Sequence, residues 1–482
     1  MTIKTFITLD LGTSSVKCSL IDSCGKILNI IQKPLTIRLP KTGWVEYDAK
    51  QLLNTPLELL DETIKSAPKD LQISGIGVAS QRSTIVLWDK KSGEPLCPVL
   101  SWQDGRAAAE LSKVSFSQEE IHKITGLYKT PYYSASKISW CLKNYEEVKS
   151  AYQKGDLLCG ALPTYLIWKL TEGKTFAIDA TLAQRMLLFD IKKLCWDKKL
   201  LDAFGIDENI LPEITPSVKE FGTYKGIAIL AMIGDQQAAL VGVGAISEGL
   251  AALNYGTGAF LLANTGTKLL DVQGLLSSVN AQIAKEKITY SLEGTVNSAG
   301  SMFDWLKLLG FDLDIKKIDD YCNNSQTNPM VLPALGGLGA PFWDFNTSVT
   351  FTGLTPQTKK EDIAKASLQG IAFLVAIIAM SMKKSNVNLK EIRASGGLAE
   401  SKYLLSFQSD LLHTPVIKMY QEQTTLLGAA YLMSKYLGLE SDKWNFLEKS
   451  EKFVPKLSAS QSEKLLSCYM RFLELSRQIS RI

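Results

Sequence analysis

Short apolar runs bounded by glycine and hydroxyl residues alternate along the 482-residue chain with longer stretches whose apolar positions recur every three or four residues. The short runs predict strands at residues 6–9, 16–21, 27–31, 73–79, 85–89, 99–102, 227–233, 250–253, 259–263 and 391–394. The longer stretches predict helices at 48–65, from 132 through 142, at 161–170, from near 300 to 309, and at 360–383. Trp168, inside one of these, reads as core. The most apolar stretch, 366–382, is interrupted by Ser367, Gln369, Gly370 and Ser381. It falls short of the roughly 20 apolar residues that a membrane span needs and predicts a buried helix.

The first two strands are joined by Asp10-Leu11-Gly12-Thr13-Ser14-Ser15, a turn of small residues that leads into a strand. A Walker A loop or a dinucleotide-binding turn leads into a helix, and neither G-x-x-x-x-G-K-[ST] nor G-x-G-x-x-G occurs here. The turn can still offer backbone N–H groups and hydroxyls to phosphate oxygens, with Asp10 at its mouth placed to hold a hydrated Mg²⁺. A plain β-hairpin would read the same way. The pattern from Leu9 to Ser14 recurs as Leu253-Asn254-Tyr255-Gly256-Thr257-Gly258, again between apolar runs. Two such turns half a chain apart suggest duplicated α/β domains, residues 1–244 and 245–482, facing each other across a nucleotide cleft.

Ile233-Gly234-Asp235-Gln236-Gln237 sets one carboxylate, flanked by amides, between the strand 227–233 and the small-residue run 238–245. There Asp235 can take a proton from a bound hydroxyl, or it can cap the helix that starts at Gln236. Gln81, Arg82, Trp102, Gln103 and Asp104 sit where strands hand over to loops, the usual place for ligand contacts in α/β proteins. Their polar heads can hydrogen-bond a polyhydroxylated substrate while an indole face packs on its carbons. Ser395-Gly396-Gly397 follows a strand and suits either close approach to a flat ligand such as adenine or a tight turn.

Composition narrows the classes. With 46% hydrophobic and 21% charged residues the chain is globular and long enough for two sizeable cores. Its 53 basic and 49 acidic residues are dispersed, without the basic cluster of a nucleic-acid binder. Eight scattered cysteines with no C-x-x-C pair, and two histidines, fit reduced thiols in a cytoplasmic protein and lack the ligand spacing of a zinc site. No charged-then-apolar leader precedes the first strand. A small-molecule substrate is therefore expected, with neither nucleic acid nor membrane as partner. A homodimer or homotetramer is a further expectation, for which no stretch of the chain speaks directly.

Several motifs in order resemble the FGGY family of carbohydrate kinases. Gly353-Leu354, seven residues, then Asp362 to Gly370 fit its C-terminal signature, and Tyr132 to Trp140 fit its N-terminal one, with Cys141 where an aliphatic residue or Phe is usual. Gly43-Trp44-Val45-Glu46, Gly234 to Leu240, Tyr255-Gly256-Thr257-Gly258, Gly339-Ala340-Pro341 and Phe407-Gln408-Ser409-Asp410 look like the glycerol kinases of that family. The resemblance implies an α/β fold of two actin-like (ribonuclease H-like) ATPase domains, an active site in the interdomain cleft, and transfer of the ATP γ-phosphoryl to a substrate hydroxyl. It implies Asp235 as general base and Asp10 as the Mg²⁺ ligand. Thr13, Ser14, Ser15 and Lys17 would meet the phosphates on one side and Gly256 and Thr257 on the other, with Gly300, Gly396, Gly397 and Ser401 lining the nucleotide site. Gln81, Arg82, Ser83, Trp102, Tyr132, Asp235, Gln236 and Phe260 would form the acceptor pocket.

Three departures bear on the substrate. Glycerol kinases read Gln-Arg-Glu-Thr where this chain has Gln81-Arg82-Ser83-Thr84, so a carboxylate that accepts hydrogen bonds from the polyol is missing. Lys17 stands where they carry Arg, as in xylulokinases, yet the Met-His pair of xylulokinases is absent. The Gly-rich basic loop through which some glycerol kinases bind fructose 1,6-bisphosphate has no counterpart between Phe221 and Ile233. Glycerol is thus the leading substrate and a ketopentose such as xylulose the second. A non-catalytic actin-like nucleotide-binding protein would share the two phosphate turns but has no reason to assemble Arg82, Tyr132 and Asp235.

Overall fold

A computed structural model describes residues 3–439 and 443–480. The chain divides into two compact units, the first comprising Met1–Gly244, Ser278–Thr289 and Gln423–Asn445, the second the remainder. The first unit is therefore not a continuous half: two segments from beyond residue 244 complete it.

Among the described residues, the sheet of the first unit is built from β1 (Ile3–Leu11), β2 (Ser15–Asp22), β3 (Ile27–Pro34), β4 (Leu71–Ser80), β5 (Thr223–Tyr224) and β6 (Ile227–Gly234), in the order β3-β2-β1-β4-β6-β5. The hairpin strands β1, β2 and β3 pair antiparallel, whereas β1, β4 and β6 run parallel. Being central, β1 is buried on both faces from Thr5 to Leu9, which is why its sequence reads as a continuous apolar run rather than an alternating one. Helix α1 (Ala49–Ser66) packs on the hairpin strands, and its start is fixed by the Asp48 carboxylate accepting from Gln51 N–H.

The returning helix Thr424–Tyr436 packs on β1, β4 and β6. Glycines let it approach closely. A Cβ at Gly77 of β4 would stand 2.8 Å from Met433 Cε, and one at Gly428 would lie within 2 Å of the Ala238 carbonyl oxygen. A side chain at Gly77 would have to displace the end of Met433, and one at Gly428 would meet the backbone of the helix Asp235–Gly242. A smaller five-stranded sheet, from Ile37–Arg38, Glu46–Tyr47, Val99–Leu100, Ile85–Asp89 and Leu157–Ala161, accompanies this core.

The second unit repeats the plan with β7 (Leu250–Tyr255), β8 (Ala259–Gly266), β9 (Tyr290–Val296), β10 (Glu391–Ser395), β11 (Val416–Met419) and β12 (Ser450–Phe453), in the order β9-β8-β7-β10-β11-β12. The β7–β8–β9 meander is antiparallel and β7, β10 and β11 are parallel, the same directions as in the first sheet. The long apolar helix Lys360–Lys384 is buried along most of its length in the core of this unit, as its interrupted sequence predicts. Trp168 is likewise core, packed on Trp88 and Tyr165 in the first unit. All eight cysteines are free thiols.

Candidate active site

In the first unit the candidate residues gather at the carboxyl ends of three neighbouring parallel strands. The registers Leu11↔Ser80 and Gly234↔Ser80 bring the ends of β1, β4 and β6 level, so that Asp10, Gln81-Arg82 and Asp235 emerge along one edge of the sheet. Such an edge collects ligand-binding groups because the strands stop together while their loops diverge.

Asp10 is not in the turn but in β1, opposite Lys17 across the hairpin. Lys17 Nζ in turn donates to Gln423 Oε1 at 3.2 Å. Burial, then the neighbouring Asp235 charge, push the Asp10 carboxyl up to about 7, against the pull of Lys17. Two carboxylates short of positive charge fit a divalent cation, which would reverse that shift.

Beyond β1 the turn is held from outside. Gly12 N–H donates to the Ser15 carbonyl at 3.0 Å, Gln81 N–H to Leu11 O at 2.9 Å, and Gln81 Nε2 to Gly12 O at 3.0 Å. Tyr47 Oη donates to Thr13 O at 2.9 Å, and Trp102 Nε1 to Thr13 Oγ1 at 3.0 Å. The Gln81 carbonyl accepts from Tyr47 and Thr84 hydroxyls. Its amide is thus spent on holding the turn, and Gln81 itself is buried. Ser14 is exposed at the tip, with Thr13 and Ser15 half-buried beside it.

On the acceptor side Arg82 Nε lies 3.6 Å from Asp235 Oδ1, and Arg82 Nη1 donates to Gln237 Oε1 at 3.5 Å. Gly234 makes this possible, since a Cβ there would sit 3.1 Å from the Arg82 stem. The N-cap of the helix Asp235–Gly242 is Gly234, with no side-chain cap bond; Asp235 is the first helical residue. The capping role expected for Asp235 is therefore corrected. Its carboxylate accepts from Gln236 N–H at 2.7 Å instead, and Gln236 is half-buried beside it.

Trp102 and Tyr132 are 38% and 48% exposed, available for contact with a ligand. Ser83 is not: it is buried, in the left-handed conformation with φ 65°, and its hydroxyl donates to the Arg185 carbonyl at 3.2 Å. The expected contact of the Ser83 hydroxyl with substrate is replaced by a backbone bond.

In the second unit two glycines converge on the repeated turn. Gly300 N–H donates to Gly256 O at 2.9 Å, and a Cβ at Gly300 would stand 2.8 Å from the same oxygen. Gly396, at φ 95°, would set a Cβ 2.4 Å from Tyr255 O. Only glycine fits there on both counts. Thr257, Gly396 and Gly397 are exposed, and a Cβ at Gly397 would meet nothing within 4 Å, so this part of the surface is open. Phe260 is half-buried on β8, paired with Asn254 and Thr295. Ser401 departs from expectation: it is buried, caps the helix Lys402–Leu412 by accepting from Leu404 N–H, and donates to the Asp319 carboxylate. It is a helix cap, which the Ser-x-x-Leu pattern at a helix start would have suggested.

Sequence reasoning missed Tyr47 and Lys137. Tyr47 gives no chain-local signal, and Lys137 reads as one more charged helix residue although it is fully buried.

Comparison with known proteins agrees with this arrangement. Residues 5–251 match the N-terminal domain of the FGGY family of carbohydrate kinases and residues 251–435 its C-terminal domain. The chain is 35% identical to a glycerol kinase of Lactococcus lactis subsp. lactis over 98% of each chain. It superposes on the glycerol kinase of Plasmodium falciparum, solved with ADP, with a TM-score of 0.93, 31% identity and 98% of both chains covered. Against a ligand-bound xylulose kinase of Lactobacillus acidophilus the TM-score is 0.85 with 25% identity, over 99% of this chain and 98% of the other. The duplicated sheets are thus the actin-like (ribonuclease H-like) pair of this kinase fold, and the chain belongs to the FGGY family of carbohydrate kinases.

Proposed function

We propose that this kinase transfers the γ-phosphoryl of Mg-ATP to a hydroxyl of a small polyol, glycerol first among candidates, with Asp235 as the general base. The observation that carries the reading is the Arg82–Asp235 pair at the carboxyl edge of the first sheet, one strand from Asp10. Arg82 offers a fork of donors to acceptor oxygens, with the Asp235 carboxylate beside them. A carboxylate in hydrogen-bond reach of the attacking hydroxyl takes its proton as the new O–P bond forms. The Trp102 and Tyr132 side chains would wall the carbons, and Gln236 would orient a second hydroxyl.

Phosphoryl transfer depends on positioning and charge stabilisation. Thr13, Ser14 and Ser15 would donate to phosphate oxygens from the first turn, and Gly256 and Thr257 from the second. Gly300, Gly396 and Gly397 would leave room for a nucleotide to lie against backbone. Asp10 would hold the magnesium ion, whose charge, when bound, offsets that developing on the phosphates. The 35% identity to a glycerol kinase supports glycerol over xylulose, while the loss of the family carboxylate at Ser83 argues for an acceptor pocket with altered preference.

The test is ADP release over glycerol, erythritol, ribitol, xylulose, ribulose and gluconate. We expect Asp235→Asn to cut turnover by about 10²–10⁴-fold, the range for losing a general base, with nucleotide binding by calorimetry retained. Unchanged turnover in that variant would remove Asp235 from the chemistry.

A further inference from the structure

Lys137 has no role in the account above, yet it is among the largest fully buried side chains in the molecule. Its Nζ donates to three backbone carbonyls: Ser101 at 2.7 Å, Tyr132 at 2.8 Å and Ser83 at 3.3 Å. These belong to three separate segments, and each carbonyl is in or next to a residue of the acceptor wall: Ser83 follows Arg82, Ser101 precedes Trp102, and Tyr132 is itself exposed there. An ammonium has three donors and no acceptor, so three carbonyls satisfy it completely.

Placing a lysine there is costly. Burial pushes the Lys137 ammonium down to about 7, and the Asp104 carboxylate only partly opposes that. An apolar residue would fill the same volume without the desolvation penalty, but it could not tie carbonyls together.

The Ser83 end is the informative one. At φ 65° Ser83 is in the left-handed conformation, which strains a residue other than glycine. Its carbonyl receives a second bond, from Ser134 Oγ at 3.3 Å, one turn from Lys137 on the helix Ser134–Asn144. The residue after Arg82 is therefore pinned from that helix, and with it the direction in which Arg82 leaves β4.

We infer that Lys137 is a positioning residue for the acceptor site, a three-way tie that fixes the Arg82, Trp102 and Tyr132 segments relative to one another. The inference rests on those segments forming the acceptor wall, as proposed above. The phosphate turn is held by Gln81 and Tyr47 as well as by Trp102, so loss of the tie acts chiefly on the acceptor and reaches the nucleotide only through the Trp102–Thr13 bond.

Two measurements on the full-length protein test this. With the best acceptor of the panel, Lys137→Met is expected to raise acceptor KM at least tenfold while KM for ATP rises no more than about threefold, the lower limit for losing the Trp102–Thr13 bond itself. Lys137→Gln, which keeps two donors, falls between. If Lys137→Met does not fold, the glutamine variant carries the comparison. Amide hydrogen exchange of the variant without substrate is expected to accelerate in peptides covering 81–84, 100–103 and 130–134 only. Equal rises in both KM values, unchanged exchange in those segments, or acceleration spreading through β1, β4 and β6 would overturn the inference. If the wild type phosphorylates no acceptor, the proposed function fails, and the exchange pattern alone decides the role of Lys137.

Discussion

The Trp102 indole can only donate, so its bond to Thr13 Oγ1 makes that hydroxyl the acceptor and leaves the Thr13 proton to point outward. One side chain thereby serves the acceptor wall with its face and the phosphate turn with its edge. Trp102→Phe keeps most of the face and removes the edge. We expect the fold to be retained and KM for ATP to rise about three- to tenfold, the worth of one ordinary hydrogen bond, in steady-state kinetics with saturating acceptor. At this scale the sequence was informative about residue type but not about direction. Asp10, Arg82 and Asp235 stood out in the sequence because charged residues at strand ends are rare, and the fold brings them to one edge of the first sheet. Gln81, Ser83 and Ser401 each lie beside a candidate residue while polar atoms of their side chains turn inward to Gly12 O, Arg185 O and the Asp319 carboxylate, which the sequence did not reveal. Neighbourhood in sequence says nothing about which way a side chain faces once a strand has ended.

Most strands and helices of the chain were legible from periodicity, and their ends moved by one to three residues: the first strand runs Ile3–Leu11 and the long apolar helix ends at Lys384. What periodicity could not reveal is how closely two elements approach. The helix Asp235–Gly242, which begins with the proposed base, meets the returning helix where a Cβ at Gly242 would fall within 2 Å of Thr424 O and one at Gly428 within 2 Å of Ala238 O. Gly428→Ala is therefore expected to destabilise the protein by about 1–3 kcal/mol, the cost of overpacking, measured as a lowered urea midpoint at unchanged m-value.

A second element depends on one carboxylate. Buried Asp362, in the first turn of the helix Lys360–Lys384, accepts from Ser325 Oγ and from the N–H groups of Gln326, Thr327 and Lys359 at 2.7–2.9 Å. Burial pushes its carboxyl up, but these four donors outweigh that and hold it well below the usual carboxylate range. A lowered folded pKa stabilises above the unfolded value and is lost as pH falls through the folded one. Asp362→Asn should cost about 1–2 kcal/mol at pH 7, and the gap to wild type in denaturant midpoint should narrow as the medium is acidified below pH 4.

At the scale of the whole molecule the duplication was readable from the two Gly-Thr turns, and it is realised in the orders β3-β2-β1-β4-β6-β5 of the first sheet and β9-β8-β7-β10-β11-β12 for six of the seven strands of the second. Membership of the first unit was not readable, because nothing in Thr424–Tyr436 distinguishes a helix that stays with its sequence neighbours from one that packs on a sheet laid down at the start of the chain. The pairing is recorded only in small residues at the contacts, Gly77 on the strand against Met433 and Gly428 on the helix against the helix Asp235–Gly242. A fragment ending at Gly244 lacks the cover of β1, β4 and β6, and we expect it to show no cooperative thermal transition; adding residues 423–445 in trans should restore one.

That pairing also sets a clock on synthesis. The ribosome makes the sheet of the first unit early but releases the helix that covers it only after roughly 180 more residues, on the order of ten to forty seconds at ordinary elongation rates. Nascent chains stalled before residue 423 should therefore keep β1, β4 and β6 open to limited proteolysis, and chains stalled well beyond 445 should not. The Arg82–Asp235 edge would be assembled late, when all of the second unit but its last segment, from residue 446 on, has been made.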